Sequence, residues 1–169
     1  RGKINTEILA ELRRRGIEAV GLSGIDGGVV QAVRRPPKDI VDQATGETET
    51  VDFGHVGDIV EIRSRLIDLL LENDYLPVIS SLGADDQGRI FNINADTIAA
   101  EIAVRLNAEK LILLSDVNGI YLDAADESTK ISRITSAEAN ELIAGGQATG
   151  GMIPKLQSLV SLLDRGVRS

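Results

Sequence analysis

A chain of 169 residues with 43% hydrophobic content is long enough to fold around one sizeable core, and with only 2% aromatic residues that core must be built from Ile, Leu, Val and Ala. A formal net charge of −8 argues against a nucleic-acid partner, which needs clustered positive charge. The absence of cysteine excludes disulfides and thiolate metal sites and fits a cytoplasmic protein, and no apolar stretch reaches the roughly 18 residues that span a membrane.

Residues 4–15 place Ile4, Ile8, Leu9 and Leu12 at helical spacing, and Gly16 ends that helix. The segment AVGLSG (19–24) is short, apolar and bounded by glycine, which predicts a buried strand. Between 29 and 62, two stretches of strand character, VVQAVRR and GDIVEIR, flank a polar run. They predict a hairpin-like excursion with an exposed loop. The lone histidine, His55, falls in this excursion, where a structural or solvent-facing role is expected. A regular rhythm follows: helix at 64–74, strand at 76–83, helix at 96–108, strand at 110–116 and helix at 135–146. Thr135 and Glu138 stand at capping-box spacing at the start of that fourth helix. A last helix is expected from about Pro154 to Asp164, with Leu156, Leu159, Val160 and Leu163 facing inward.

Helices alternating with unbroken apolar strands predict a mostly parallel sheet with helices on both faces, and ligands in such sheets sit beyond the carboxyl ends of the strands. Those ends read LSGIDGG, SSLGADD and LSDVNG, all of which ordinary turn chemistry can also explain. The common nucleotide fingerprints are missing: there is no G-x-x-x-x-G-K-[ST], and no G-x-G-x-x-G joins a strand to a helix. DVNGIYLDAADE lacks the acid and glycine spacing of a calcium loop.

Two stretches remain. In ATGGMIPKL (148–156), Pro154 suits a first helical turn, which puts Lys155 near a helix N-terminus. A cation there opposes the helix dipole unless an anion lies between. Gly150 and Gly151 would let a phosphate approach backbone N–H groups; an exposed lysine beside a loop is the plainer alternative. In FNINADTIAAEIA (91–103), Asn92 and Asn94 supply donors suited to a carboxylate or an amide. Asp96 reads either as the cap of the following helix or as a fixed negative charge at the centre of a ligand site, and the two roles are compatible.

Taken together, GKINTEI (2–8), AVGLSGIDGG (19–28), GHVGDIV (54–60), NDYLPVIS (73–80), NINADTIAAEIA (92–103), EKLILLSDVNGIY (109–121) and TGGMIPK (149–155) resemble the amino acid kinase family, nearest the branch that acts on N-acetyl-L-glutamate. The motifs occur in the family's order and cover nearly the whole chain. The resemblance implies a three-layer α/β/α sandwich around a mostly parallel sheet, incomplete at both ends. It also implies transfer of the ATP γ-phosphoryl group to the side-chain carboxylate of N-acetyl-L-glutamate, with Mg²⁺, in arginine biosynthesis. By the same resemblance Asp96 and Lys155 are catalytic, and Asn92 and Asn94 bind the acceptor. Asp116, Val117, Asn118, Gly119, Ile120 and Tyr121 bind nucleotide together with Gln147, Ala148 and Thr149. The partners implied are small molecules and, at full length, further copies of the protein, with no resident metal ligands.

The family's opening strand and Gly-rich turn with a second catalytic lysine, its second Gly-Gly segment and a substrate-binding arginine have no match here. Its closing strands are missing too. The chain is therefore expected to be an internal piece of one kinase domain. On that reading residues 1–80 end the substrate-side portion, residues 81–169 belong to the nucleotide side, and the isolated piece has little activity. A sister kinase acting on carrier-bound aminoadipate or glutamate, and a non-catalytic binding or regulatory protein, are the competing readings.

Overall fold

The computed structural model describes residues 2–41, 46–114, 120–121, 126–146, 156, 160 and 163–165, and the structure set out below is that of these residues. The elements are α1 (Lys3–Arg14), β1 (Ala19–Ser23), β2 (Val30–Arg34), β3 (Lys38–Val41), β4 (Thr48–Val51), β5 (Gly57–Ile62), α2 (Arg65–Glu72), β6 (Leu76–Ser80), β7 (Leu82–Ala84), β8 (Ile90–Asn92), α3 (Ala95–Arg105), β9 (Ile120–Tyr121), β10 (Lys130–Ile131) and α4 (Ser136–Ala144). The chain divides into two units, Arg1–Ile102 and Ala103–Ser169.

In the first unit β1 and β6 pair in parallel, from Ala19–Leu76 to Ser23–Ser80. Helix α1 lies on this pair, and the contact is specific. Asn5 is buried and its Nδ2 donates to the Val78 carbonyl at 3.0 Å. A Cβ on Gly21 of β1 would run into the Asn5 side chain and come within 2.7 Å of Leu9 Cδ1. In α1 Asn5 is buried and Leu9 and Leu12 are half-buried, while Ile4 and Ile8, which share their helical spacing, stay exposed. Gly16, at φ 74°, closes α1 with a Schellman pair, its own N–H to Arg13 and the N–H of Ile17 to Leu12. Asp74 and Asn107 occupy the same left-handed position after α2 and α3.

A four-stranded sheet, in the order β5-β2-β7-β8, also lies in the first unit. It is mixed: β5 and β2 are antiparallel, β2 and β7 meet in parallel at Gln31–Ala84, and β7 and β8 are antiparallel. Val29, Val30, Ala32, Ile62, Ile67, Phe91, Ile93 and Ile98 make the core, apolar and almost free of aromatic rings as the composition requires. The excursion expected at 29–62 is present. Strands β2 and β5 belong to the sheet, while β3 and β4 pair with each other, Lys38–Val51 to Val41–Thr48.

In the second unit Ala139, Leu156 and Val160 pack with Ile134, Leu142 and Ile143. Helix α4 begins with the expected capping box: Glu138 N–H donates to Thr135 Oγ1 at 3.2 Å, and Thr135 N–H donates to Glu138 Oε2 at 2.7 Å. Leu156, Val160 and Leu163 are helical, as expected of the last helix. Residues 110–114, expected to form a strand, pair with nothing among the described residues. Ile112 and Leu114 there are 72% and 94% exposed. An apolar run becomes a strand only where a neighbouring edge takes up its N–H and C=O groups. Parallel pairing among the described residues is found at β1–β6, at the β2–β7 contact and at the single Val56–Asn92 bridge, within a mixed α/β fold.

Candidate active site

The segment carrying Asn92, Asn94 and Asp96 runs from β8 into α3. Phe91 and Ile93 are 1% and 4% exposed, and burying each contributes about 1.5–3 kcal/mol. Alternation then forces Asn92 and Asn94 outward, and both are exposed. One edge of β8 is taken by β7, with Leu82 opposite Asn92. The hairpin these strands form is tied by Asp85, which accepts the N–H groups of Gln87 and Arg89 at 3.0 and 2.9 Å and Arg89 Nε at 2.6 Å. Burial pushes Asp85 up, but the bonds from Arg89 and Gln87 outweigh it and hold the carboxyl below its usual range. On its other edge Asn92 bridges to Val56 in parallel, and its N–H donates to the His55 carbonyl at 2.8 Å. The sheet therefore curls until residues at its two outer edges meet beside Asn92.

The cap of α3 is Asn94. Its Oδ1 accepts the Thr97 N–H at 3.0 Å and Thr97 Oγ1 at 3.3 Å, and its carbonyl accepts the Ile98 N–H at 3.1 Å. Asp96 does not cap the helix, as the sequence allowed, but stands in its first turn, exposed. It has no hydrogen-bond or ion-pair partner among the described residues. The positive end of the helix dipole favours a negative charge there. Capping uses the Asn94 oxygen and leaves its amide NH₂ to donate, beside the whole side-chain amide of Asn92. The segment thus presents amide donors followed by one unengaged carboxylate, a set that can hold an acidic acceptor and order cations nearby.

Near the carboxyl ends of β1 and β6, Asp26 Oδ2 accepts the Ser23 N–H at 2.7 Å and Ser23 Oγ at 2.8 Å, closing the turn of LSGIDGG. Gly27 and Gly28 then take left-handed conformations, at φ 62° and 66°, that other residues rarely adopt. This turn is engaged in its own bonding.

Ile120 and Tyr121 form β9, opposite Ile131 and Lys130 of β10. Asp116, Val117, Asn118, Gly119, Gln147, Ala148, Thr149 and Lys155 lie outside the described residues. Among the described residues no three His, Asp or Glu side chains gather as a metal site, and no helix is long and apolar enough to cross a membrane. The contact that sequence reading missed is the His55 carbonyl on Asn92. Residues 37 positions apart give no local signal of such a bond.

The description "Amino acid kinase family" matches residues 1–169. The chain is 46% identical over 168 residues to an acetylglutamate kinase of Methanosphaera stadtmanae, covering 99% of this chain and 56% of that protein. It is 44% identical over 168 residues to an acetylglutamate kinase of Carboxydothermus hydrogenoformans, with the same coverage of 99% and 56%. The crystal structure of smu.665 from Streptococcus mutans UA159 matches with a TM-score of 0.70 at 34% identity, over 96% of this chain and 59% of that one. The chain thus spans a little over half the length of the relatives it matches. Matched from its first residue to its last, the chain belongs to the amino acid kinase family.

Proposed function

We propose that the protein phosphorylates the side-chain carboxylate of N-acetyl-L-glutamate with ATP, giving an acyl phosphate. Identity of 46% and 44% to acetylglutamate kinases over 168 residues is the observation that carries this reading. The exposed amides of Asn92 and Asn94, next to the unengaged carboxylate of Asp96, suit it. Asn92 is the acceptor ligand, its side-chain amide matching the acetylamino and carboxylate groups of the substrate. Asn94 adds its NH₂ while its oxygen holds the helix. Asp96 and Lys155 are the catalytic residues, the first a fixed negative charge and the second a cation for the transferred group. Residues 116–121 and 147–149 take the nucleotide.

Phosphoryl transfer is catalysed by in-line positioning and neutralisation of charge, so neither a nucleophilic side chain nor a histidine base is required. Mg²⁺, arriving with ATP, neutralises phosphate charge and needs at most one or two protein carboxylates, which is compatible with the absence of a larger acidic cluster among the described residues. In the protein at its full natural length, ADP release should depend on N-acetyl-L-glutamate and give a hydroxylamine-reactive acyl phosphate. Equal or faster turnover with N-acetyl-L-2-aminoadipate would move the assignment to a sister kinase. No ATP turnover with either acceptor would refute the reading.

A further inference from the structure

We infer that the return of the excursion, residues 52–57, is a clamp that sets the position of Asn92, with Arg34 and Gly57 as its positioning residues. The inference rests on the reading of Asn92 as acceptor ligand and adds to it the device that holds that ligand in place.

The clamp is built in three links. Arg34, at the end of β2, donates through Nη2 to both oxygens of Asp52 at 2.7 Å and through Nε to the Gly54 carbonyl at 3.1 Å. Asp52 Oδ1 also accepts the Gly54 N–H at 2.8 Å, which locks the turn from within. The Gly54 N–H, and next Arg34, hold the Asp52 carboxyl below its usual range, so the staple stays ionised at neutral pH. The next residue, His55, accepts the Asn92 N–H on its carbonyl, and Val56 stands in register with Asn92. Gly57 completes the device from beneath. A Cβ there would lie 2.6 Å from Phe91 Cβ and 3.0 Å from Phe91 Cγ, so glycine lets the loop close onto the residue just before Asn92.

Global stability does not account for this arrangement. The Arg34 and Asp52 side chains are about half exposed, at 47% and 52%, and such pairs contribute little to folding. Phe91 and Ile93 already fix which face of β8 is buried. The loop adds a second edge at Asn92 itself, and displacing a binding group by about 1 Å can cost up to about 100-fold in rate.

The test uses the protein at its full natural length, with N-acetyl-L-glutamate and ATP varied in turn. Gly57→Ala and Arg34→Ala should each raise KM for N-acetyl-L-glutamate by about fivefold or more, with kcat and KM for ATP within about twofold of the parent. Hydrogen exchange at the Asn92 amide should quicken in both single variants. Asn92→Ala in the same assay separates the two claims. If it leaves KM for the acceptor unchanged, the role given to Asn92 fails. If it raises KM while Gly57→Ala and Arg34→Ala do not, the clamp fails and the role of Asn92 stands. Equal damage to kcat and to both KM values in the single variants would reduce the loop to general scaffolding and overturn the inference. Arg34→Ala changes only an exposed side chain, so the test survives if Gly57→Ala does not fold.

Discussion

The N-termini of α3 and α4 are built alike and use their acids differently. Each helix begins with a polar cap, Asn94 or Thr135, and each carries an acid in its first turn. Glu138 of α4 is committed to the cap: its Oε2 accepts both the N–H and Oγ1 of Thr135, at 2.7 and 2.8 Å. Asp96 of α3 stands two residues after its cap rather than three, and the capping box is not formed. The cap is complete without it. A first-turn acid is ordinarily explained by the structure it supports, and that explanation serves Glu138. Among the described residues it leaves the Asp96 carboxylate with only the weak pull of the helix dipole.

That contrast breaks most sharply at Asp96. In the protein at full natural length, Asp96→Asn should lower kcat by about 10²–10³, as loss of one preorganised charge commonly does. The melting temperature should barely move, since only a dipole term of about 0.3–1 kcal/mol is at risk. Wild-type kcat in the Asn variant would make Asp96 a structural acid like Glu138.

At Asn94 the cap and the donor can be separated. Asn94→Ala removes both and should cost about 0.5–2 kcal/mol of stability, read by denaturant titration. Asn94→Asp keeps a good capping oxygen, so stability should hold. It loses the NH₂ group, and KM for N-acetyl-L-glutamate should rise. An Asp variant with unchanged KM would restrict Asn94 to the cap.

The smallest effect concerns Glu138 and pH. Bonds from the Thr135 backbone N–H, then from its hydroxyl, hold this carboxyl below its ordinary value of 4.5. A depressed carboxylate contributes stability above its unfolded value, and that contribution is lost as pH falls through the lower folded value. Helix α4 should therefore fray as pH drops below about 4.5, seen as faster amide exchange at residues 136–139. Glu138→Gln should flatten this dependence, whereas Asp96→Asn should leave exchange in α4 unchanged.

What the sequence disclosed follows the range of the forces involved. The capping box at Thr135 was legible because its partners are three residues apart. Helices α1 to α4 and the excursion were legible from periodicity and turn residues. The sequence points to Asp96 as the cap of α3, whereas the structure gives it to Asn94, two residues earlier, whose side chain also suits the role. The burial of Asn5 in α1 was not legible because its partner is a carbonyl in β6, which apolar spacing cannot reveal. The run at 110–114 looks as strand-like as β6, yet among the described residues only β6 has a partner edge. Asn92 was singled out through its motif, while the loop carbonyl that accepts its N–H was not. That bond joins segments far apart in the chain.

The β3–β4 hairpin has one more consequence. Among the described residues its strands pair only with each other, and apart from Val51 their residues are exposed. The Arg34–Asp52 staple lies at its base, between the arm and Asn92. Lengthening such an arm is cheap, since each doubling of a flexible loop costs only about 0.6 kcal/mol. Insertions beyond the staple would leave Asn92 where it is. The hairpin is therefore the part of the first unit free to drift in length as sequences diverge, and the natural place to graft a tag or reporter.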